Sequence, residues 1–156
     1  MSRPTWDEYF MKITRLVAER STCLRRQVGA IIVIKKRIIS TGYNGAPKGL
    51  EHCLDIGCLR VKMEIPSGER QELCRGVHAE QNAIIQAAGG GIDMEGSTMY
   101  CTDSPCATCS KMIINAGIRK LVLGRKYPDR LGEQLINAAG IETVYLTPVT
   151  EEENKP

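Results

Sequence analysis

The sequence has no apolar run approaching the roughly 18 residues that a membrane span requires, so no transmembrane segment is expected. Its first residues, MSRPTWDEYF, carry two acids and no apolar signal core, and a cytoplasmic protein is expected. Dense basic runs are missing as well. The 21 basic and 18 acidic residues leave a formal net charge of +3, an excess that suits a small anionic ligand better than a nucleic-acid groove. There is no internal repeat and no low-complexity segment. What is present fits a single domain over residues 1–156. With 42% hydrophobic and 25% charged residues the chain can bury a core, which excludes wholesale disorder.

Cysteine is plentiful. Seven thiols cannot all pair within one chain, and without a secretion signal metal binding is a better reading than disulfides.

The hydrophobic pattern alternates between helix and strand. Thr5 and Glu8 form a candidate capping box for a helix to about Arg20, with Trp6, Phe10, Ile13, Leu16 and Val17 on its apolar face. Val28–Ile34 and Arg37–Thr41 read as a hairpin turning at Lys35-Lys36. A long irregular insertion, rich in Gly, Pro and Cys, follows from about residue 42 to 76, and loops of that length are functional or held by something. Helical pattern returns over His78–Ala88 and breaks at Gly89-Gly90-Gly91. Thr98–Thr102 is a short strand. Ser104 as N-cap and Pro105 at the first position predict a helix ending near Ala116-Gly117. Lys120–Leu123 is a strand, Arg130–Ala139 a helix and Glu142–Leu146 a last strand, with the tail TEEENKP expected to fray. This order predicts an α/β fold with a central five-stranded mixed sheet and helices on both faces, a three-layer α/β/α arrangement.

Two motifs sit at helix starts: His78-Ala79-Glu80 and Pro105-Cys106-Ala107-Thr108-Cys109. Cys106 and Cys109, three apart, share one face of the first turn, where the positive end of the helix dipole favours thiolates. One imidazole and two thiolates leave a fourth zinc position for water, the arrangement of a catalytic site. Glu80 is not needed as a ligand and is placed to carry the proton of that water. Separately, a CxxC pair is often structural or redox-active, and a lone helical His is often packing. Together, H-x-E followed by P-C-x-x-C is the signature of zinc nucleobase deaminases.

On these residues the chain resembles the cytidine and deoxycytidylate deaminase superfamily over roughly Thr5 to Leu146. It is most similar to the deoxycytidylate deaminases, including the bacterial late-competence branch. The strings that carry the resemblance are QVGAIIV, TGYNGAPKG, CRGVHAEQNAI, SPCATCSKMIINAGI and KYPD. The resemblance implies a cytidine deaminase-like fold and hydrolysis of dCMP to dUMP and ammonia. It further implies homo-oligomers, often hexamers, with dCTP activating and dTTP inhibiting. Phage and bacterial members hold a second, structural zinc through cysteines resembling Cys23 and Cys53, which animal members lack. Cys58 and Cys74 can complete a four-cysteine site here, with His52 a rival for one position; the alternative is four buried free thiols. Cys101 is left over and reads as packing.

Gly42, Tyr43, Asn44 and Gly45 form a turn after a strand. By spacing alone it is only a turn, but the resemblance makes it a substrate or effector loop, with Asn44 offering a donor and an acceptor. Tyr127 and Asp129 are placed in the same cleft. Arg25, Arg26, Lys48, Arg119, Arg125, Lys126 and Arg130 are the candidate phosphate cations, and sequence does not rank them. The rival functions are a tRNA adenosine deaminase, a free cytidine deaminase and a non-catalytic zinc protein. The balanced charge, the need for a phosphate site and Glu80 argue against each in turn.

Overall fold

The structure, a computed structural model, describes residues 2–146. The expected frayed tail lies outside them. Among the described residues no helix is long and apolar enough to cross a membrane.

Helix α1 spans Trp6–Ala18 and starts at the expected capping box: Glu8 N–H donates to Thr5 Oγ1, and the Glu8 carboxylate accepts from Thr5 N. Its buried face differs from the expected stripe. Phe10, Met11, Thr14 and Ala18 are buried, whereas Trp6 and Leu16 are 43% and 63% exposed. At about 100° per residue Leu16 lies about 240° around the helix from Phe10, so it cannot share that face. Thr14 can be buried because its hydroxyl donates to the Phe10 carbonyl at 2.7 Å.

The sheet contains β1 (Gly29–Ile34), β2 (Arg37–Tyr43), β3 (Thr98–Asp103), β4 (Lys120–Arg125) and β5 (Glu142–Tyr145), in the order β2-β1-β3-β4-β5. β1 is antiparallel to β2 and β3; β4 is parallel to β3 and β5. The hairpin turns through Lys35 and Lys36, both at positive φ, which matches the right-handed twist of the strands. Alternation along the strands divides the core. Ile31, Tyr100 and Val122 are cross-strand neighbours and meet α1 on one face. Ala30, Cys101 and Leu123 form the next row and face the other helices. Those helices are α4 (Ala79–Gly89), α5 (Ala107–Asn115) and α6 (Arg130–Ala138). The three-layer α/β/α fold with a five-stranded mixed sheet is therefore as expected.

The insertion is more ordered than an irregular loop. It carries single-turn helices α2 (Cys53–Ile56) and α3 (Leu59–Lys62) and a 3₁₀ turn at Gln71–Leu73. Its ends are pinned by paired backbone hydrogen bonds between Gly45 and Val77, at 3.2 and 2.8 Å. That bridge delivers the chain to His78.

Helix α5 starts two residues later than expected. Cys106, not Ser104, is its N-cap. Ser104 Oγ is already committed, accepting from Tyr127 N at 2.6 Å.

Candidate active site

His78 and Cys106 are the N-caps of α4 and α5, and Glu80 and Cys109 lie in the first turns of the same helices. Two helix N-termini thus converge behind the sheet, and their positive ends favour anionic ligands. The backbone N–H of His78 donates to Gln81 Oε1 at 2.8 Å, which fixes the main chain at the start of α4. His78 Nδ1 stands 3.5 Å from Cys106 Sγ and 3.4 Å from Cys109 Sγ. Among the described residues, this is the His/Cys/Asp/Glu trio whose ligand atoms all lie within 4.8 Å of one another. Tetrahedral zinc, with Zn–N of about 2.0 Å and Zn–S of about 2.3 Å, sets nitrogen and sulfur about 3.5 Å apart. The trio therefore fits zinc as it stands.

The electrostatics agree. The Cys106 thiol is drawn down to about 4 by hydrogen bonding from Cys109 and then from His78, so one thiolate is poised before any metal arrives. The Cys109 thiol is pushed up by the same contact with Cys106 and by burial. His78 is raised to about 10, first by its contact with Cys106 and then by Cys74. A bound metal replaces the shared proton, so metal loading at this site releases protons. Glu80 is 4% exposed, and burial pushes its carboxyl up to about 7 although His78 opposes the shift. A carboxyl near 7 can take up and give back a proton at neutral pH.

His78, Glu80 and Cys106 line a cavity of about 290 Å³. Cys23, Cys53, Cys58 and Cys74 line the same cavity, as free thiols. They do not form a second trio at ligand spacing. They do feel one another: burial first, then the charges of Cys58, Cys23 and Cys74, push the Cys53 thiol up. Cys101 is fully buried in the core beneath Glu80, and burial raises its thiol well above the usual range.

The nucleotide-loop residues separate. Asn44 and Gly45 line the cavity, and so does Tyr127. Asn44 is committed to the protein: its Oδ1 accepts from Ser21 Oγ and Val28 N, and its Nδ2 donates to the Arg26 carbonyl. Gly42 and Tyr43 belong to β2; the Tyr43 carbonyl accepts from Asn82 Nδ2 of α4. The Tyr127 hydroxyl accepts from Gln71, and the Arg26 guanidinium lies over its ring, 5.1 Å from the centroid. Asp129 caps α6 and also accepts from Ala107 N, so it fastens α5 to α6.

Of the candidate phosphate cations, Arg25 and Arg26 reach the cavity. Arg119 pairs with Glu95 and Lys126 with Glu133. Two functional candidates escaped the sequence reading. Asp103, at the end of β3, has a side chain 4% exposed and binds both Arg26 (3.0 Å) and Arg125 (2.8 Å). An acid at the carboxyl end of a parallel strand is a signal that could have found it. Arg60 is the other, and nothing in a local pattern marks a buried arginine.

The family model of the cytidine and deoxycytidylate deaminase zinc-binding region matches residues 4–125. The deoxycytidylate deaminase of Saccharomyces cerevisiae is 40% identical over 155 residues, covering 97% of this chain and 48% of the yeast protein. The chain thus spans about half the length of that relative. ComE operon protein 2 of Bacillus subtilis is 40% identical over 142 residues, covering 90% of this chain and 71% of the Bacillus protein. Among solved structures, the dCMP deaminase of cyanophage S-TIM5, in complex with dCMP and dUMP, superposes with a TM-score of 0.76 at 31% identity. That match covers 94% of this chain and all of the phage chain.

Proposed function

The chain belongs to the cytidine and deoxycytidylate deaminase family, and we propose that within it this chain hydrolyses dCMP to dUMP and ammonia. The observation that carries the reading is the His78–Cys106–Cys109 trio at zinc-ligand spacing with the buried Glu80 beside it in one cavity. Residues 1–156 act as one zinc-dependent deaminase domain with its Cys-rich insertion at about 42–76. Held by the trio, a zinc ion supplies the Lewis acid that makes water a nucleophile near neutral pH.

The chain's own residues do the rest. The Gln81 contact fixes the backbone of His78 at the start of α4, and the first turn of α5 places the thiolates of Cys106 and Cys109. Glu80 takes the proton that the attacking water must lose. It passes that proton to N3 of the cytosine ring, then takes the second proton from the hydroxyl added at C4 and gives it to the amino group, which leaves as ammonia as the C4 carbonyl forms, so one carboxylate serves both halves of the reaction. Dry walls around Glu80 keep its affinity for a proton near that of neutral solution.

Three finer readings accompany this one. Cys23, Cys53, Cys58 and Cys74 would hold a second, structural zinc by closing to ligand spacing around it; four thiols lining one cavity are the donor set that supports this reading. Of the segment Gly42 to Gly45, Asn44 and Gly45 line the cavity with Tyr127 and contribute to the nucleotide site, and Gly42 and Tyr43 act through the position of β2. The protein is a cytoplasmic homo-oligomer, a hexamer by analogy with the family, in which dCTP activates and dTTP inhibits through states that bind them unequally.

The test is direct. Purified protein is offered dCMP, dCTP, deoxycytidine and tRNA, and ammonia release is measured. Selective turnover of dCMP is expected; preferred turnover of tRNA or deoxycytidine overturns the substrate assignment. Rate curves against dCMP are expected to be sigmoidal and to sharpen with dTTP.

A further inference from the structure

Helix α3 is inside out. Leu59, Val61 and Met63 are about half exposed, at 49%, 55% and 52%, whereas Arg60 between them is only 7% exposed. A single turn that shows its apolar residues to solvent and buries its guanidinium opposes the usual partition, so something must favour the charge inside.

Among the described residues, what surrounds Arg60 gives it no ion pair, although Glu72 and Cys74 lie within reach of its charge. Its Nη2 donates to the carbonyls of Pro66 (3.2 Å) and Glu69 (2.6 Å), and its buried Nε has no partner. Arg60 lines the same cavity as His78, Glu80 and Cys106. Arg25 repeats the arrangement: it lines that cavity, its Nη1 donates to the Ile65 carbonyl at 2.9 Å, and it too has no carboxylate partner among the described residues. Arg26 does not, because Asp103 already holds it. The loop at 65–69 therefore aims two guanidinium groups by their backbone contacts and leaves their charge open.

We infer that Arg60, with Arg25, is the anion subsite of this active site and takes the 5′-phosphate of the nucleotide, so that the insertion sets the preference for a nucleotide over a nucleoside. The inference rests on the dCMP reading. Two forked guanidinium groups match a phosphate dianion in charge and in geometry, and their backbone tethers reduce the entropy lost on binding. Zinc-bound thiolates would be a competing source of negative charge for Arg60, and the experiment separates the two roles.

Arg60→Gln and Arg60→Lys are made in the full chain, loaded with zinc, and kcat/KM is measured on dCMP and on deoxycytidine. The wild type is expected to prefer dCMP. In Arg60→Gln the dCMP-to-deoxycytidine ratio is expected to fall roughly 10–100-fold, chiefly through KM for dCMP, and Lys to retain more of it than Gln. Inorganic phosphate, competing with dCMP, is expected to inhibit Arg60→Gln less than wild type. A folded Arg60→Gln with full zinc and an unchanged ratio overturns the inference while leaving the dCMP reading intact. A wild type that prefers deoxycytidine overturns both. If Arg60→Gln does not fold or loses zinc, Arg25→Gln, which lies nearer the surface, decides: a fall in the ratio supports the subsite, and an unchanged ratio overturns it.

Discussion

Gly42 of β2 lies so close to Ala79 of α4 that a Cβ on the glycine would stand 2.2 Å from the Ala79 carbonyl oxygen and 2.5 Å from the Ala83 nitrogen. Both neighbours are backbone, so neither can swing aside. The contact fixes the height of the α4 N-terminus above the sheet, and with it His78 and Glu80. Gly42→Ala must lift that turn. It is expected to destabilise the fold by about 1–3 kcal/mol, as overpacking does, and to lower deamination. Thermal unfolding and dCMP turnover check it. Unaltered stability and rate would remove the positioning role.

Asn44 gives a second prediction. Its amide ties the β2 end to Ser21, Arg26 and Val28. Asn44→Ala leaves Val28 N and the Arg26 carbonyl without these partners, and a loss of about 1–3 kcal/mol is expected. Urea unfolding measures it. A residue that only touched nucleotide would leave the stability of the free protein unchanged.

What the sequence made legible was local. HxE and PCxxC are spacings within single helix turns, so the trio and Glu80 could be read before any fold was known. The sheet was legible because its strands are β-branched runs between turn residues, as at Val28–Ile34. Long-range pairings were not. Arg26 and Asp103 lie 77 residues apart, and their ion pair exists only once β1 has paired with β3. The burial of Arg60 depends on the path of the whole insertion. Ser104 has the composition of a helix cap, yet Tyr127 N claims its hydroxyl.

Metal content distinguishes the two groups of cysteines. Wild type is expected to carry about two zinc ions per chain, one at the trio and one at Cys23, Cys53, Cys58 and Cys74. Cys53→Ser is expected to lose one of them and loosen the insertion, with the trio still loaded. Elemental analysis and limited proteolysis read the two effects. One zinc in a fully loaded wild type would sink the four-cysteine site.

Glu80 and the trio should fail in different ways. Glu80→Gln keeps the shape of the side chain and cannot carry a proton. It removes no metal ligand, since His78, Cys106 and Cys109 provide the zinc-fitting set. The variant is expected to fold, keep its catalytic zinc and bind dCMP. Its turnover is expected to fall at least 10²–10⁴-fold, or about 3–5 kcal/mol, the usual loss for a general acid-base group. A larger fall would fit a carboxylate that serves both water activation and ammonia departure. Cys106→Ala is expected to lose catalytic zinc and activity together. It removes both the thiolate and the Sγ that accepts from Cys109 N at the start of α5. Zinc analysis alongside dCMP turnover separates the cases. Glu80→Gln within tenfold of wild type would mean that the proton travels by another route. Loss of zinc from Glu80→Gln would make Glu80 a support of the metal site rather than the proton carrier.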